Sequence, residues 1–225
     1  MKNLKVATVG LCFLTLSGSF VGCATKQGTG ALIGTGAGAT LGAIVGKIAG
    51  NTAVGAAIGG AVGAGTGAII GRHMDKVAAE AAQVQNAKVE EVTDANGLKA
   101  VKVTFDSGIL FATNKSTLNA SSKADLAKFS TVLKNNSDCH VDIYGYTDRS
   151  GGDGINIPLS QKRAQSVANY LTSCGVSGSQ LQNVVGKGSQ DEIENKTVSQ
   201  ANRRVEVFLY ASQAMVDAAN AGTLK

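Results

Sequence analysis

An arginine is aligned with apolar residues on a predicted helix in the second half of the chain. Four residues share one face of this helix because they follow one another at four-residue intervals: Leu159, Arg163, Val167 and Leu171. An arginine on an apolar face needs an anionic partner. Asp148, which follows the alternating apolar residues of a predicted strand, is one candidate. The carboxylate of a bound ligand is another.

An apolar run near the start of the chain predicts a signal peptide over residues 1–22. The run, residues 6–20, follows two lysines and is shorter than the roughly 20 residues that a membrane span needs. Small residues then lead to Cys23, as in a bacterial lipoprotein signal; ordinary cleavage beside an incidental cysteine is the alternative. We expect residues 23–29 to form a lipidated N-terminus. Ala24, by analogy with lipoprotein sorting, favours lipid anchoring in the outer membrane, with the C-terminal domain in the periplasm.

Glycine recurs every four residues in the segment that follows. Between Gly28 and Gly71 there are 15 glycines, and Lys47 is the only charged residue. A four-residue period places glycines along one helix face, where they let two helices pack closely in lipid. The break at Asn51 predicts a helical hairpin over residues 30–71. The glycines in register are Gly30, Gly34, Gly38, Gly42, Gly46 and Gly50, then Gly55, Gly59, Gly63, Gly67 and Gly71.

Three interpretations of this glycine zipper remain open. It can form a membrane-associated hairpin that self-associates into a homo-oligomer, a soluble hairpin packed on another protein, or a flexible spacer. Glycine costs about 1 kcal/mol per position in a helix in water, which disfavours an isolated soluble hairpin. The strict register disfavours the spacer. An oligomerising or membrane-perturbing envelope factor driven by this segment is therefore our alternative function.

The rest of the chain predicts an α+β domain over residues 88–212. A short Ala-rich helical connector, residues 72–87, precedes it, and an Ala-rich tail, residues 213–225, follows it. Strand and helix patterns occur in the order strand, strand, helix, strand, helix, strand, strand, with a turn signal at residues 94–97. We expect a two-layer α/β sandwich in which the helices cover one face of a mixed sheet.

Two cysteines remain in the predicted globular domain. Cys139 precedes the strand that leads to Asp148, and Cys174 ends the helix that carries Arg163. If this helix runs back along the strand, its end returns to the start of the strand. An exported protein occupies a compartment where disulfides persist. A Cys139–Cys174 disulfide is therefore expected, and two buried thiols are the alternative.

Composition and motifs argue against several other classes of function. The net charge of +5 is mild, tryptophan is absent, and basic residues are scattered, so nucleic-acid binding is not predicted. The two histidines, His73 and His140, are not placed to activate a serine nucleophile. The sequence shows no metal-ligand spacing and no cofactor motif. We expect a protein that is not an enzyme and has neither a metal nor a cofactor.

Several spaced motifs resemble the C-terminal domain of the outer-membrane protein A family. They cover roughly residues 98–212, in the order expected for that family. The lipoprotein signal and the glycine zipper resemble the lipid-anchored members of the family that lack a β-barrel. The motifs are Gly145-Tyr146-Thr147-Asp148, Asn156-x-x-Leu159-Ser160-x-x-Arg163-Ala164, Tyr170-Leu171-x-x-x-Gly175-Val176 and Asn202-Arg203-Arg204-Val205-Glu206.

The resemblance implies non-covalent binding of peptidoglycan through the diaminopimelate of its stem peptide. By resemblance, Asp148 pairs with the ligand ammonium and Arg163 with the carboxylate on the same carbon. A forked guanidinium suits a carboxylate. A direct Asp148–Arg163 salt bridge is the alternative.

The remaining ligand-binding residues implied by the resemblance lie on neighbouring loops. Asn156, Thr113 and Asn114 supply hydrogen bonds, and Arg204 is a weaker candidate, because only one of two consecutive strand arginines can face the site. Two positions depart from the family pattern: Ile155 replaces a tyrosine, and Ala112 stands where an acidic residue is frequent. The sequence thus predicts a lipid-anchored tether between the outer membrane and the cell wall.

Overall fold

The computed structural model describes residues 62–112 and 114–224. The predicted signal peptide, the lipidated Cys23, most of the glycine zipper and the candidate site residue Thr113 lie outside the described residues. Within the described part, no helix combines the length and the apolar character needed to cross a membrane.

Five strands within the described residues form one mixed sheet in the order β1-β2-β5-β3-β4. β3 and β4 are parallel, and the other neighbours are antiparallel. β5, the last strand in sequence, is therefore central and lies beside the strand that leads to Asp148. The strands are β1 (Ala87–Thr93), β2 (Lys99–Asp106), β3 (Cys139–Gly145), β4 (Leu181–Gly186) and β5 (Arg204–Ala211).

The predicted turn at residues 94–97 joins β1 to β2. The Asp94 carboxylate accepts hydrogen bonds from the backbone N–H groups of Asn96 and Leu98, at 2.8 and 2.9 Å. Gly97 has a φ of 77°, a conformation that glycine adopts without steric cost. The turn signal in the sequence is thus confirmed.

The helices pack on one face of the sheet, which confirms the predicted α+β class. Their apolar side chains share one core with alternate residues of the central strands, among them Val103 and Val207. The opposite face carries a smaller aromatic cluster that includes Tyr144, Tyr146 and Phe208. The helices are α1 (Ala64–Ala81), α2 (Ser107–Leu110), α3 (Ala120–Asn135), α4 (Asp153–Ser173) and α5 (Gln213–Asn220). The Asn119 side chain caps the N-terminus of α3.

α1 differs from the predicted short connector. It begins at Ala64, inside the segment assigned to the zipper, and continues past Gly71 and Arg72 without a break. Ile70, Met74 and Val77 are fully buried in the core of the domain. The boundary predicted from the charged residues after Gly71 is therefore not a structural boundary. The apolar residues of α1 are spaced to cover the sheet, and their burial holds the helix there.

α4 packs closely on the sheet at two glycines. A Cβ at Gly145 would lie 2.3 Å from the carbonyl oxygen of Ser160, and a Cβ at Gly186 would lie 2.2 Å from the backbone nitrogen of Gln161. Gln161 also donates to the carbonyl of Val184 and accepts from the N–H of Gly186. These contacts set the first half of α4, which carries the candidate site residues, against the ends of β3 and β4.

Two predictions for the C-terminal half are corrected by the structure. The tail forms α5, whose Met215 and Val216 are buried in the core. Cys139 and Cys174 are both free thiols, so the expected disulfide is not formed. The Cys139 side chain lies on the core face with its Sγ 3.9 Å from Met74 Sδ, because α1 covers the start of β3.

Candidate functional site

A cleft of about 410 Å³ lies beyond the carboxyl end of β3. The loop after β3, the first turns of α4, the segment around α2 and the residues before β5 form its walls. Asp148 and Arg163, the two residues singled out from the sequence, both line it. The other lining residues are Ser107, Gly108, Phe111, Ala112, Asn114, Thr147, Ser150, Gly151, Ile155, Asn156, Leu159, Gln200 and Arg203.

Asp148 is buried and held by donors from two loops. Its Oδ1 accepts from the backbone N–H and the hydroxyl of Ser150, at 3.2 and 2.5 Å. Its Oδ2 accepts from the Ser199 N–H at 3.3 Å and from Arg203 Nη1 at 2.5 Å. Burial alone would raise the pKa of Asp148, but the hydrogen bonds from Ser150 and Arg203 outweigh it and hold the pKa below its usual value. Asp148 is therefore a fixed anion.

Arg163 is a buried cation on the opposite wall of the cleft, with only 4% of its surface exposed. Its Nε donates to the carbonyl oxygen of Lys115 at 3.1 Å, and its guanidinium lies over the Phe111 ring at 5.3 Å. No carboxylate of the described residues forms an ion pair with it. Burial, followed by repulsion from Arg203, lowers the pKa of Arg163, and Asp148 opposes the shift. The alternative of a direct Asp148–Arg163 salt bridge is therefore not found, and Asp148 pairs with Arg203 instead.

Arg203, rather than Arg204, faces the cleft. Arg203 also donates to the side chain of Gln200, which in turn donates to Asp106 at the end of β2. Arg204 points to the other face of the sheet, where it pairs with Glu206 at 2.7 Å and stacks 3.9 Å over the Tyr146 ring. The assignment of Arg204 to the site is therefore wrong, because side chains alternate between the faces of a strand and the register of β5 turns Arg204 away.

Asn156 and Asn114 reach the cleft from two different walls. Asn156 is buried within the first turn of α4, which begins three residues earlier. Its Nδ2 donates to the carbonyl oxygen of Asp148 at 2.8 Å, so it fixes the loop that carries the acid. Asn114 lines the cleft with a φ of 55°. Thr113, the remaining candidate, is outside the described residues.

Two buried hydroxyl groups in the cleft wall have no hydrogen-bond partner among the described residues. They belong to Ser107, at the start of α2, and Thr147, next to Asp148. Buried polar groups are nearly always hydrogen-bonded, because an unsatisfied group costs roughly 1–3 kcal/mol. These hydroxyls are thus positioned to bond to a ligand or a water molecule.

A second cleft of about 380 Å³ continues from the first. The two share Asn114, Ile155 and Leu159, and the second also contains Lys115 and Lys162. A long ligand bound in the Asp148–Arg163 cleft can therefore extend into the second cleft along the first turns of α4. The surface there is partly apolar and partly basic.

Sequence patterns indicated the two charged groups of the cleft but missed most of its supporting residues. Phe111 lies in a short apolar segment, and Ser150, Ser199 and Gln200 lie in polar loops without periodicity. Alternation on a strand did show that only one of the two consecutive arginines could face the site. It did not show which one.

Family comparisons divide the chain into two matched parts. Residues 110–206 match the model of the OmpA family, and residues 1–75 match the model of the YMGG-like Gly-zipper family. The first match contains every described residue of the cleft except Ser107 and Gly108. The second reaches into α1.

Three relatives illustrate the sequence similarity. Peptidoglycan-binding protein ArfA of Mycobacterium bovis is 37% identical over 113 residues, which are 49% of this chain and 34% of that protein. Outer membrane protein A of Shimwellia blattae is 38% identical over 107 residues, 47% of this chain and 44% of that one. Probable lipoprotein YiaD of Escherichia coli (strain K12) is 31% identical over 149 residues, 62% and 64% of the two chains. The matched part thus spans 34% to 64% of these relatives.

The fold also resembles that of solved structures. A MotB-like protein from Desulfovibrio vulgaris superposes with a TM-score of 0.55 and 21% sequence identity, over 65% of this chain and 96% of that chain. This similarity supports the same arrangement of strands and helices.

Proposed function

This chain carries an OmpA-family domain at residues 110–206, and we propose that it binds peptidoglycan without cleaving it and tethers the cell wall to the outer membrane. In this proposal the domain lies in the periplasm and recognises the diaminopimelate of the stem peptide. A lipid on Cys23 holds the other end of the chain in the membrane. The relatives include a peptidoglycan-binding protein, an outer membrane protein and a probable lipoprotein, which supports wall binding in the cell envelope.

The buried guanidinium of Arg163 is the observation that carries the proposal. A buried cation without a counterion is costly, and the closest partner of Arg163 within the domain is the neutral carbonyl of Lys115. The cleft leaves room for an anion beside it. A carboxylate suits this position because the planar guanidinium can donate two parallel hydrogen bonds to it.

Asp148 supplies the complementary charge on the other wall. A ligand that joins an ammonium and a carboxylate on one carbon can address Asp148 and Arg163 at the same time. The distal carbon of diaminopimelate has this chemistry. The Ser107 and Thr147 hydroxyls offer further hydrogen bonds to its polar atoms. The adjoining cleft with Lys115 and Lys162 can take the neighbouring part of the peptide.

Arg203 occupies the ammonium position in the ligand-free domain. It pairs with Asp148 Oδ2 at 2.5 Å, while 32% of its side chain is exposed to solvent. An ion pair that is partly exposed contributes little to stability, so the arginine can be displaced at low cost. We infer that a ligand ammonium exchanges with Arg203 when it binds.

A pull-down with isolated sacculi tests the proposal on the full-length chain in mild detergent. Arg163→Gln keeps a donor for the Lys115 carbonyl but removes the charge. We expect its affinity to fall about 10- to 100-fold, because charged hydrogen bonds contribute roughly 1.5–3 kcal/mol. Asp148→Asn should lose a similar amount. The pelleted fraction measures both losses, and circular dichroism checks that each variant is folded.

Charge-matched controls separate recognition from general electrostatics. Arg149→Gln removes an arginine that pairs with Glu192 outside the cleft, and Asp217→Asn removes an exposed acid on α5. Both should pellet like the wild type. Free diaminopimelate should compete, whereas Nα-acetyl-lysine amide, whose only ammonium has no carboxylate on the same carbon, should not. Wild-type retention of Arg163→Gln, or equal competition by Nα-acetyl-lysine amide, contradicts the assignment of the cleft.

A further inference from the structure

A second group of ligand-type side chains lies at the end of β3 that is remote from the cleft. His73 and Met74 are consecutive on α1, and Asp138 and Cys139 are consecutive where β3 begins. β3 has seven residues and rises about 3.3 Å per residue, so the group lies about 20 Å from the strand end that leads to Asp148. The cleft function does not involve these side chains.

Three donor atoms converge in this group, and the Met74 sulfur lies beside one of them. His73 Nε2 lies 3.6 Å from Asp138 Oδ1, and Cys139 Sγ lies 3.9 Å from Met74 Sδ. The imidazole nitrogen, carboxylate oxygen and thiol sulfur all lie within 4.8 Å of one another. In a tetrahedral site with bonds of about 2.0–2.3 Å, ligand atoms are separated by about 3.3–3.8 Å. Shifts of about 1 Å or less would therefore produce a metal site.

Burial and donor type restrict the ion that such a site can hold. Met74 and Cys139 are 0% and 1% exposed, whereas the Asp138 side chain is 32% exposed and provides a route from solvent. Two sulfurs and an imidazole are poor ligands for Mg²⁺ or Ca²⁺, which prefer oxygen. They favour Zn²⁺ and Cu⁺.

We propose that His73, Asp138 and Cys139, with Met74 as a fourth donor, bind one Zn²⁺ or Cu⁺ ion that fastens α1 to the start of β3. On binding, the Cys139 thiol releases its proton to solvent and the thiolate becomes the ligand. α1 connects the domain to the N-terminal segment of the chain. The ion thus stabilises the junction through which a load between membrane and wall passes, if the tether function holds.

Metal titration of the untagged full-length chain tests this site independently of wall binding. Co²⁺ serves as the optical probe, because a thiolate ligand produces a sulfur-to-cobalt charge-transfer band. We expect this band in the wild type, its loss in Cys139→Ser, and a fall in affinity of about tenfold or more in His73→Gln. Zn²⁺ should raise the melting temperature of the wild type but not that of Cys139→Ser.

Matched variants control for the other ligand-type residues and distinguish the two ions. Cys174→Ser, His140→Gln and Cys23→Ser should retain the band. Met74→Leu should weaken Cu⁺ binding more than Zn²⁺ binding. Asp138→Asn should weaken Zn²⁺ binding more than Cu⁺ binding. If a Co²⁺ band persists unchanged in both Cys139→Ser and His73→Gln, or if none of the three ions binds at one per chain, the proposal is overturned. The group is then a histidine–aspartate contact beside a buried thiol.

Discussion

Arg203 and Arg204 are neighbours in sequence but belong to opposite faces of the sheet. Arg203 pairs with Asp148 at the rim of the cleft, where 32% of its side chain is exposed. Arg204 pairs with Glu206 behind the sheet, where its side chain is 4% exposed and stacks on Tyr146. Two consecutive arginines thus form ion pairs that differ in solvent access, one at the rim of the cleft and one buried behind the sheet.

The largest expected effect follows from breaking the buried pair. Arg204→Gln leaves Glu206 as a buried charge without its cation, so the free energy of unfolding should fall by about 3–5 kcal/mol. Arg203→Gln should cost less, because Arg203 is partly exposed and Asp148 keeps its hydrogen bonds from Ser150 and Ser199. Urea unfolding of the full-length variants, followed by circular dichroism, measures both. Similar losses for the two variants would mean that the buried and the partly exposed ion pair contribute equally to stability.

A smaller effect is expected on ligand affinity when the exchangeable pair is removed. In Arg203→Gln, Asp148 keeps its hydrogen bonds from Ser150 and Ser199 but loses the arginine that a ligand ammonium would have to displace. We expect affinity for diaminopimelate-containing peptide to rise about three- to tenfold, because less of the protein is held in a competing state. Calorimetry with a soluble stem peptide measures the change, with Arg149→Gln as the control. A decrease would instead make Arg203 a direct ligand contact.

The smallest effect concerns the acid limit of binding, which is the pH below which protonation of Asp148 weakens ligand binding. The pKa of Asp148 is held below its usual value of 3.8, so its ionised form, and the stability that this form contributes, is fully present above 3.8. Both are lost only as the pH falls through the lower pKa of the folded protein. Binding by the wild type should therefore persist down to about pH 4 and decline below it.

Removing Arg203 should raise this acid limit, since one of the two main groups that lower the pKa of Asp148 is lost. Pull-downs across the acidic range, with wild type and Arg203→Gln in parallel, measure the midpoint of each decline. A wild-type midpoint clearly above 3.8 would show that Asp148 is not the titrating group. Equal midpoints for the two proteins would show that Arg203 does not set its pKa.

Much of the domain could be predicted because its local patterns agree with its packing. The alternating strands, the turn at residues 94–97 and the apolar face of α4 all have the periodicity that burial on one side requires. α1 and α5 were misjudged because Ala-rich segments with few large apolar residues carry a weak pattern. Met74 and Met215 nevertheless bury completely, since the sheet offers a surface for them.

Within the candidate site, the sequence by itself determined that Arg163 shares a face with apolar residues and that Asp148 follows a strand. Both follow from local repeat distances along a helix and a strand. The family resemblance added a role for the two residues, which the structure places in one cleft.

Only the tertiary structure decided which residues meet across the chain. Asp148 pairs with Arg203, 55 residues away, because β5 lies between β2 and β3 and its register turns Arg203 toward the cleft. Cys139 contacts Met74 instead of Cys174 because α1 covers the start of β3. Periodicity specifies the face on which a side chain lies, but the partner on that face depends on strand order and register, which no local pattern contains.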